Sequence, residues 1–163
     1  MSKGENMKSL VAYFSTKGTT KGVAEKLCSV VDGDLFEIAP VEPYTDEDLN
    51  WMNQESRSSI EMKDKASRPE LKNKVEDVSK YDQIYVLFPI WWYTAPHIIN
   101  TFLESMDLNN KTVICCCTSG SSPIGNSVND LRESAKGATV INGGRFEKDV
   151  SLEEIKYWKE NLI

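Results

Sequence analysis

Four hydroxyl side chains, a lysine and a glycine lie together near the N-terminus: Ser15, Thr16, Lys17, Gly18, Thr19 and Thr20. A run of apolar and β-forming residues at 10–14 predicts a buried strand before them, and apolar residues at helical spacing across 23–31 predict a helix after them. A helix N-terminus attracts anions, and hydroxyls add donors that fit phosphate oxygens. The stretch is therefore either a phosphate site or an ordinary turn in which threonines cap the helix.

Two further loops of unusual composition follow predicted strands. An aromatic loop at residues 89–95 ends the strand that begins at Ile84, and it contains Pro89, Ile90, Trp91, Trp92 and Tyr93. A polar loop at residues 118–127 follows the strand predicted at 111–117, and it contains Thr118, Ser119, Gly120 and Gly125. Open α/β sheets bind ligands beyond the carboxyl ends of their strands. If the strands before these loops are neighbours, the three loops meet around a ligand with a phosphate tail and a broad aromatic plane.

The two adjacent tryptophans of the aromatic loop have two interpretations. Adjacent aromatic residues after a strand commonly pack into the core and its rim, and we expect one of the two to do so. The ring that stacks on a ligand is then the other tryptophan or Tyr93, and the sequence leaves that choice open.

Strands and helices alternate along the chain, which predicts an α/β protein with a parallel sheet covered on both faces. The predicted strands are residues 8–14, 34–39, 84–90, 111–117 and a fifth from 138 to about 146. The predicted helices are residues 19–31, 96–106, 127–136 and a last one from 151, with capping patterns at Thr45–Asp48, Ser127–Asp130 and Ser151–Glu154. Residues 70–80 are expected to be helical in part. Residues 45–69 are expected to form one or two short helices in a surface excursion, and Trp51 is the residue best placed to make this segment a lid or partner contact instead.

Length and charge narrow the class of protein. The 163 residues predict a single domain, 1–163, with residues 1–6 as a loose extension. A net charge of −6 argues against nucleic acid as a partner, and it is compatible with docking to a basic protein surface. Apolar runs long enough for a membrane span and an N-terminal signal-peptide pattern are both missing, so the expectation is a cytoplasmic protein without a membrane partner.

The remaining chemically active side chains favour structural roles. Cys115, Cys116 and Cys117 are consecutive in a predicted strand, so they point to alternate faces and cannot converge on one metal ion. They are interpreted as buried thiols, with Cys117 nearest to a loop. His97 is the only histidine, and it is expected at the surface, on the first turn of a helix. The sequence predicts neither a metal site nor a catalytic nucleophile–base pair.

Taken together, these loops resemble the flavodoxin family of small FMN-binding electron carriers. The run from Phe14 to Thr20 is similar to the family's phosphate loop, the run from Pro89 to Pro96 to the loop after strand three in a flavodoxin-like subgroup, and Thr118 to Gly120 to the opening of the third flavin loop. The resemblance implies a short-chain, doubly wound, three-layer fold with five parallel strands in the order 2-1-3-4-5. It also implies FMN held by the residues of the three loops named above.

The resemblance implies a function as a low-potential electron-transfer protein, with redox partners that present basic docking surfaces. The alternative on the same fold is an FMN-dependent NAD(P)H or quinone oxidoreductase, in which residues 45–69 cover a substrate. An FMN-free binding or regulatory module is a third possibility.

The sequence departs from the family's pattern in all three loops. Lys17 replaces a small hydroxyl residue, and its ammonium group pairs with the phosphate or faces solvent. Ser121 and Pro123 replace glycines of the third loop. The aromatic loop lacks the glycine that eases a peptide flip beside the flavin in well-known flavodoxins, which leaves single-electron carriage as the open question.

Overall fold

A five-stranded parallel sheet forms the centre of the protein, and the computed structural model describes residues 8–162. The strands are β1 (Ser9–Tyr13), β2 (Asp34–Glu37), β3 (Gln83–Pro89), β4 (Thr112–Thr118) and β5 (Thr139–Phe146). The helices are α1 (Thr19–Val31), α2 (Arg57–Lys63), α3 (His97–Glu104), α4 (Ser127–Arg132) and α5 (Leu152–Glu160), and a 3₁₀ turn spans Val78–Lys80. The extension predicted at residues 1–6 lies outside the described residues.

The strand order is β2-β1-β3-β4-β5, which confirms the predicted fold class and order. β1 lies between β2 and β3, with Leu10 opposite both Asp34 and Ile84, and β3 pairs along its whole length with β4. The carboxyl ends of β1, β3 and β4 are therefore neighbours at one edge of the sheet. This order brings the three loops of unusual composition to the same place.

Each face of the sheet is covered by helices. One apolar layer contains the buried side chains of α3, including Ile98 and Phe102, and the other contains those of α1 and α5, including Leu27 and Ile155. Alternate residues of the buried strands enter opposite layers, because successive strand side chains point to opposite faces.

The three consecutive cysteines follow this alternation. Cys115 and Cys117 lie in one layer and Cys116 in the other, and all three are fully buried. Burial raises the pKa of Cys115 to about 12 and that of Cys117 to about 11, and it also raises the pKa of Cys116. These thiols stay protonated and act as small apolar groups.

Two predicted capping patterns differ from the structure. The N-cap of α4 is Asn126, not Ser127, because the Ser127 hydroxyl donates to the carbonyl of Ile124 at 2.6 Å. Thr45 and Asp48 do exchange hydrogen bonds between side chain and backbone, at 3.0 and 3.1 Å, but they close a turn and not a helix. The pattern at Ser151 is a complete capping box with Glu154, as predicted.

Helix and strand ends differ by a few residues from the predicted ones. α3 ends at Glu104 and α4 at Arg132, and β2 ends at Glu37. The C-cap of α1 is Asp32, in the left-handed region (φ 52°), and Gly33 follows where a Cβ would lie 2.6 Å from the carbonyl oxygen of Ser9. Gly33 thus allows the close approach of the chain to β1, and its N–H also donates to the carbonyl of Cys28 at 3.2 Å at the end of α1. Across residues 8–162, every helix is too short or too polar to span a bilayer.

Candidate functional site

Two adjoining cavities open at the carboxyl edge of the sheet, and Thr16 and Lys17 belong to the walls of both. The first, named here the hydroxyl cavity, has a volume of about 520 Å³; the second, the aromatic cavity, has about 510 Å³. The hydroxyl cavity is lined by Ser15, Thr16, Lys17, Thr19, Thr20, Pro89, Thr118, Ser119, Gly120, Glu147, Lys148 and Asp149. The aromatic cavity is lined by Thr16, Lys17, Leu49, Trp51, Ser58, Ile90, Trp91, Trp92, Tyr93 and Ser122.

The N-terminus of α1 faces the hydroxyl cavity without a side-chain cap. Gly18 is the N-cap residue with φ 89°, and its own N–H donates to the Ser15 hydroxyl at 3.0 Å. The interpretation that threonines cap this helix is therefore wrong. Because the helix has no side-chain acceptor at its first turn, its N–H groups and dipole are available to an anionic ligand.

A buried hydrogen bond joins the first and third loops across the hydroxyl cavity. The hydroxyls of Thr20 and Thr118 lie 2.7 Å apart, and both side chains are buried. Arg145 stabilises the third loop, because its guanidinium donates to the carbonyls of Ser119 and Gly120 at 3.0 and 3.1 Å. These contacts fix the spacing between the loops before any ligand is bound.

Lys17 forms an ion pair with Asp46, which lies in the excursion that follows β2. Its Nζ is 2.6 Å from Asp46 Oδ1, and both side chains are exposed. The hydrogen bond and charge of Lys17 hold the pKa of Asp46 below its usual value. The lysine therefore faces solvent, one of the two arrangements considered from sequence, and it also links the first loop to the excursion.

The aromatic loop contains a tight turn with an unusual backbone. Trp91 and Thr94 exchange backbone hydrogen bonds at 2.9 and 3.2 Å, while Trp92 and Tyr93 between them have φ values of 49° and 67°. Such left-handed pairs normally contain glycine or asparagine, so two bulky aromatic residues there are strained. This backbone turns the Trp92 and Tyr93 rings outward, with 43% and 76% of their surface exposed.

Trp91 is the tryptophan that packs inward. It makes edge-to-face contacts with Phe14 and Tyr44, with ring centroids 5.6 and 5.3 Å apart. The expectation that one of the two tryptophans packs against the core agrees with this arrangement. Trp92 and Tyr93 are the two rings of this loop that are exposed and can stack on a ligand, while Trp91 also lines the cavity.

The third loop supports the aromatic turn through Gly125. Its φ is 62°, and a Cβ there would lie 2.1 Å from the Tyr93 carbonyl oxygen, which accepts a hydrogen bond from the Asn126 N–H at 2.9 Å. Gly125 and Gly18 are the two predicted site residues that do not line either cavity. Both instead shape the backbone beside the cavities.

Sequence reasoning missed several residues of the walls. Leu49, Trp51 and Ser58 line the aromatic cavity, so the excursion at 45–69 is part of its wall and the preferred interpretation as a mere surface excursion is wrong. The exposed Trp51 was the one signal for this. The hydroxyl cavity is also lined by Glu147, Lys148 and Asp149, because β5 ends at the same sheet edge as the other strands. The predicted end of the fifth strand at Phe146 could have indicated that the residues after it lie at the site.

His97 lies outside both cavities, at the start of α3. It is half-buried, and its Nδ1 is 2.7 Å from the Ser67 hydroxyl. Burial, with the nearby charge of Arg68, lowers its pKa. The histidine therefore holds the end of the excursion as a neutral hydrogen-bonding group.

The fold and the two cavities define the class of the protein as a flavodoxin-like α/β protein, and comparison with known families agrees. The family model described as Flavodoxin matches residues 8–162, so the chain belongs to the flavodoxin family. None of the curated proteins searched matches the chain.

Solved structures extend this similarity. A provisionally named flavoprotein from Bacteroides eggerthii is 44% identical, with a TM-score of 0.89 over 96% of this chain and 98% of that one. Another from Bacteroides uniformis is also 44% identical, with a TM-score of 0.84 over 96% and 99% of the two chains. A flavoprotein from Lactobacillus acidophilus, solved in complex with FMN, is 26% identical, with a TM-score of 0.71 over 94% and 99%.

Proposed function

We propose that the protein binds FMN and acts as a low-potential electron-transfer protein. The observation that carries this proposal is the junction of the two cavities at Thr16 and Lys17. One cavity offers an uncapped helix N-terminus and hydroxyl donors, and the other offers aromatic rings. A phosphate joined to a planar ring system fits this pair of cavities.

The residues present fit FMN in both chemical character and position. The N-terminus of α1, with the hydroxyls of Ser15, Thr16 and Thr19, would hold the phosphate. The backbone of the third loop and the rings of Trp92 and Tyr93 would hold the flavin ring. FMN supplies the redox chemistry when it is bound, and the protein supplies its position and electrostatic surroundings.

The acidic character of the chain supports a low reduction potential. The net charge is −6, and Asp46, Glu147 and Asp149 lie at or beside the cavities. Negative charges disfavour the additional negative charge of a fully reduced flavin. The same charge suits a redox partner with a basic docking surface.

A second candidate function has its own supporting observation. Trp51, with 70% of its surface exposed, and Leu49 line the aromatic cavity from the excursion. A wall of this kind can also hold a planar substrate, as an FMN-dependent NAD(P)H or quinone oxidoreductase requires.

A titration of the purified apo-protein with FMN tests the proposal. We expect one FMN per chain, with quenched flavin fluorescence, and reduction by dithionite in two separable one-electron steps. Failure to bind added FMN would overturn both candidate functions. Binding of FMN together with rapid NAD(P)H-driven reduction of quinones would overturn electron carriage and support the oxidoreductase.

A further inference from the structure

The excursion places one buried serine in the wall of the aromatic cavity. Ser58 is the second residue of α2, only 2% of its surface is exposed, and it lines the cavity together with Trp91. The other polar residues of that wall, Thr16, Lys17 and Ser122, are half-buried or exposed and can reach water. Ser58 differs from them because it is polar and buried at once.

The Ser58 hydroxyl has no hydrogen-bond partner within residues 8–162, and it is the one buried side-chain oxygen or nitrogen of that range for which this is so. Its neighbours are satisfied: the Ser56 hydroxyl donates to that of Ser59 at 2.9 Å, and the Ser59 hydroxyl donates to the carbonyl of Asn53 at 2.8 Å. An unpaired buried hydroxyl destabilises a folded chain, so such groups in native proteins call for an explanation.

The backbone around Ser58 is held in place from several sides. Its N–H donates to the carbonyl of Asp48 at 3.0 Å. The adjacent Arg57 contacts Glu61 at 3.0 Å, donates to the carbonyl of Glu42 at 2.8 Å and lies 3.8 Å above the ring of Tyr44. The backbone of Ser58 is therefore fixed at the cavity wall before a ligand arrives, so little more than the rotation of its side chain toward the cavity has to be ordered when the hydroxyl forms a hydrogen bond.

We infer that Ser58 hydrogen-bonds a polar atom on the edge of the flavin ring and is a ligand-binding residue of the site. This inference rests on the proposed binding of FMN. The flavin ring carries carbonyl oxygens and ring nitrogens along its edge, and a serine hydroxyl can either donate to them or accept from them. Leu49, Ile90 and Trp91, in the same wall, contribute apolar surface to the ring. Ser58 thereby makes the excursion part of the cofactor site.

The test compares Ser58→Ala with Ser29→Ala, a matched substitution at an exposed position of α1 away from both cavities. The ligands are FMN and lumiflavin, which has the ring without the phosphate. We expect Ser58→Ala to weaken both ligands by roughly fivefold to tenfold, the effect of one lost hydrogen bond. Ser29→Ala leaves both affinities unchanged, and Ser58→Thr, which keeps the hydroxyl, restores most of the affinity.

The melting temperature of the apo-protein distinguishes a ligand-binding role of Ser58 from a structural role. Removing an unpaired hydroxyl does not destabilise the fold, so we expect the apo-protein of Ser58→Ala to melt no lower than that of Ser29→Ala. Unchanged affinity for lumiflavin in Ser58→Ala, or a large drop in apo-protein melting temperature, would overturn the inference while leaving FMN binding intact. A wild-type protein that binds neither FMN nor lumiflavin would instead overturn the proposed function and this inference together.

Discussion

Gly18 is a position where the effect of a side chain's charge on an anionic ligand can be measured apart from steric clashes. Its φ of 89° favours glycine, but a Cβ at this position would have no heavy atom within 4 Å. A side chain there would therefore project into open space beside the N-terminus of α1. Its charge, more than its size, decides how it affects an anionic ligand.

We predict that Gly18→Asp weakens FMN by at least about tenfold relative to riboflavin, because the carboxylate opposes the phosphate at the helix N-terminus. Gly18→Asn is the control, since asparagine has the same shape, tolerates positive φ and carries no charge. Fluorescence titrations with the two flavins measure the ratio. Equal losses for FMN and riboflavin would show that this turn does not hold the phosphate.

His97 is expected to make the free energy of unfolding depend on pH. Burial and the charge of Arg68 lower its pKa in the folded state, whereas Glu61 and Asp130 oppose that shift. The unfolded chain therefore binds the proton more readily, and stability is lost as pH falls from about 6.5 through the lower folded pKa. The carboxylates with lowered pKa, including Asp34 and Glu104, titrate below that window.

Urea unfolding between pH 7.5 and 5.5 tests this dependence. We expect the wild-type midpoint to fall across the window, and that of His97→Gln to fall less. Because the chain has one histidine, its ring resonances in NMR spectra report the folded pKa directly. A folded pKa at or above 6.5 would contradict the prediction.

At the scale of elements, the sequence predicted which segments are strands and helices but not how their ends are closed. Continuous runs of apolar residues identified the buried strands, because every residue of β1 and β3 that faces a core layer is apolar or tyrosine. Ser127 and Asp130 match a capping pattern in sequence, yet Asn126 is the cap and Asp130 accepts a hydrogen bond from Thr94 at 2.6 Å. Contacts between residues far apart in the chain decided that outcome.

The same limit applies to the site. The three loops were predictable, because their composition departs from that of ordinary loops and the family resemblance fixes the order of the strands. The place of Ser58 in the wall of the aromatic cavity was not predictable, because a serine in a polar segment carries no signal until folding brings the excursion to that cavity. The outward orientation of Trp92 and Tyr93 also depends on positive φ values that their residue types argue against.

A substitution in the aromatic turn should change the stability of the apo-protein and its affinity for FMN in opposite directions. We predict that Tyr93→Asn stabilises the apo-protein by about 0.5–1 kcal/mol, because asparagine adopts positive φ more readily and the exposed tyrosine ring loses little packing. The same change weakens FMN, because a ring of the aromatic cavity is removed.

Thermal unfolding and FMN titration of Tyr93→Asn measure the two effects. Tyr157→Asn is the matched control, because Tyr157 is 70% exposed but lies within helix α5. We expect this control to lose stability through poorer helix propensity and to bind FMN normally. A loss of stability in Tyr93→Asn would show that the turn is not strained.

At the scale of the whole molecule, net charge governs encounters with partners. With a charge of −6, we predict that electron transfer from the reduced protein to a basic protein acceptor slows as ionic strength rises from about 10 to 300 mM. Transfer to an uncharged quinone serves as the control and remains nearly constant. Stopped-flow absorbance of the flavin measures both rates, and equal salt dependence would argue against a basic docking partner.

The hydrogen bond between Thr20 and Thr118 connects positions 98 residues apart in the chain. The two halves of the hydroxyl cavity are therefore held together only when β1, β3 and β4 are already paired, and an unfolded chain presents no such cavity. A ligand bound there adds its binding free energy to the folding equilibrium by mass action, so each tenfold excess over its dissociation constant contributes about 1.4 kcal/mol to the native state. Cellular supply of the ligand would then set how long the chain resists unfolding and proteolysis, and the abundance of the protein would follow that supply.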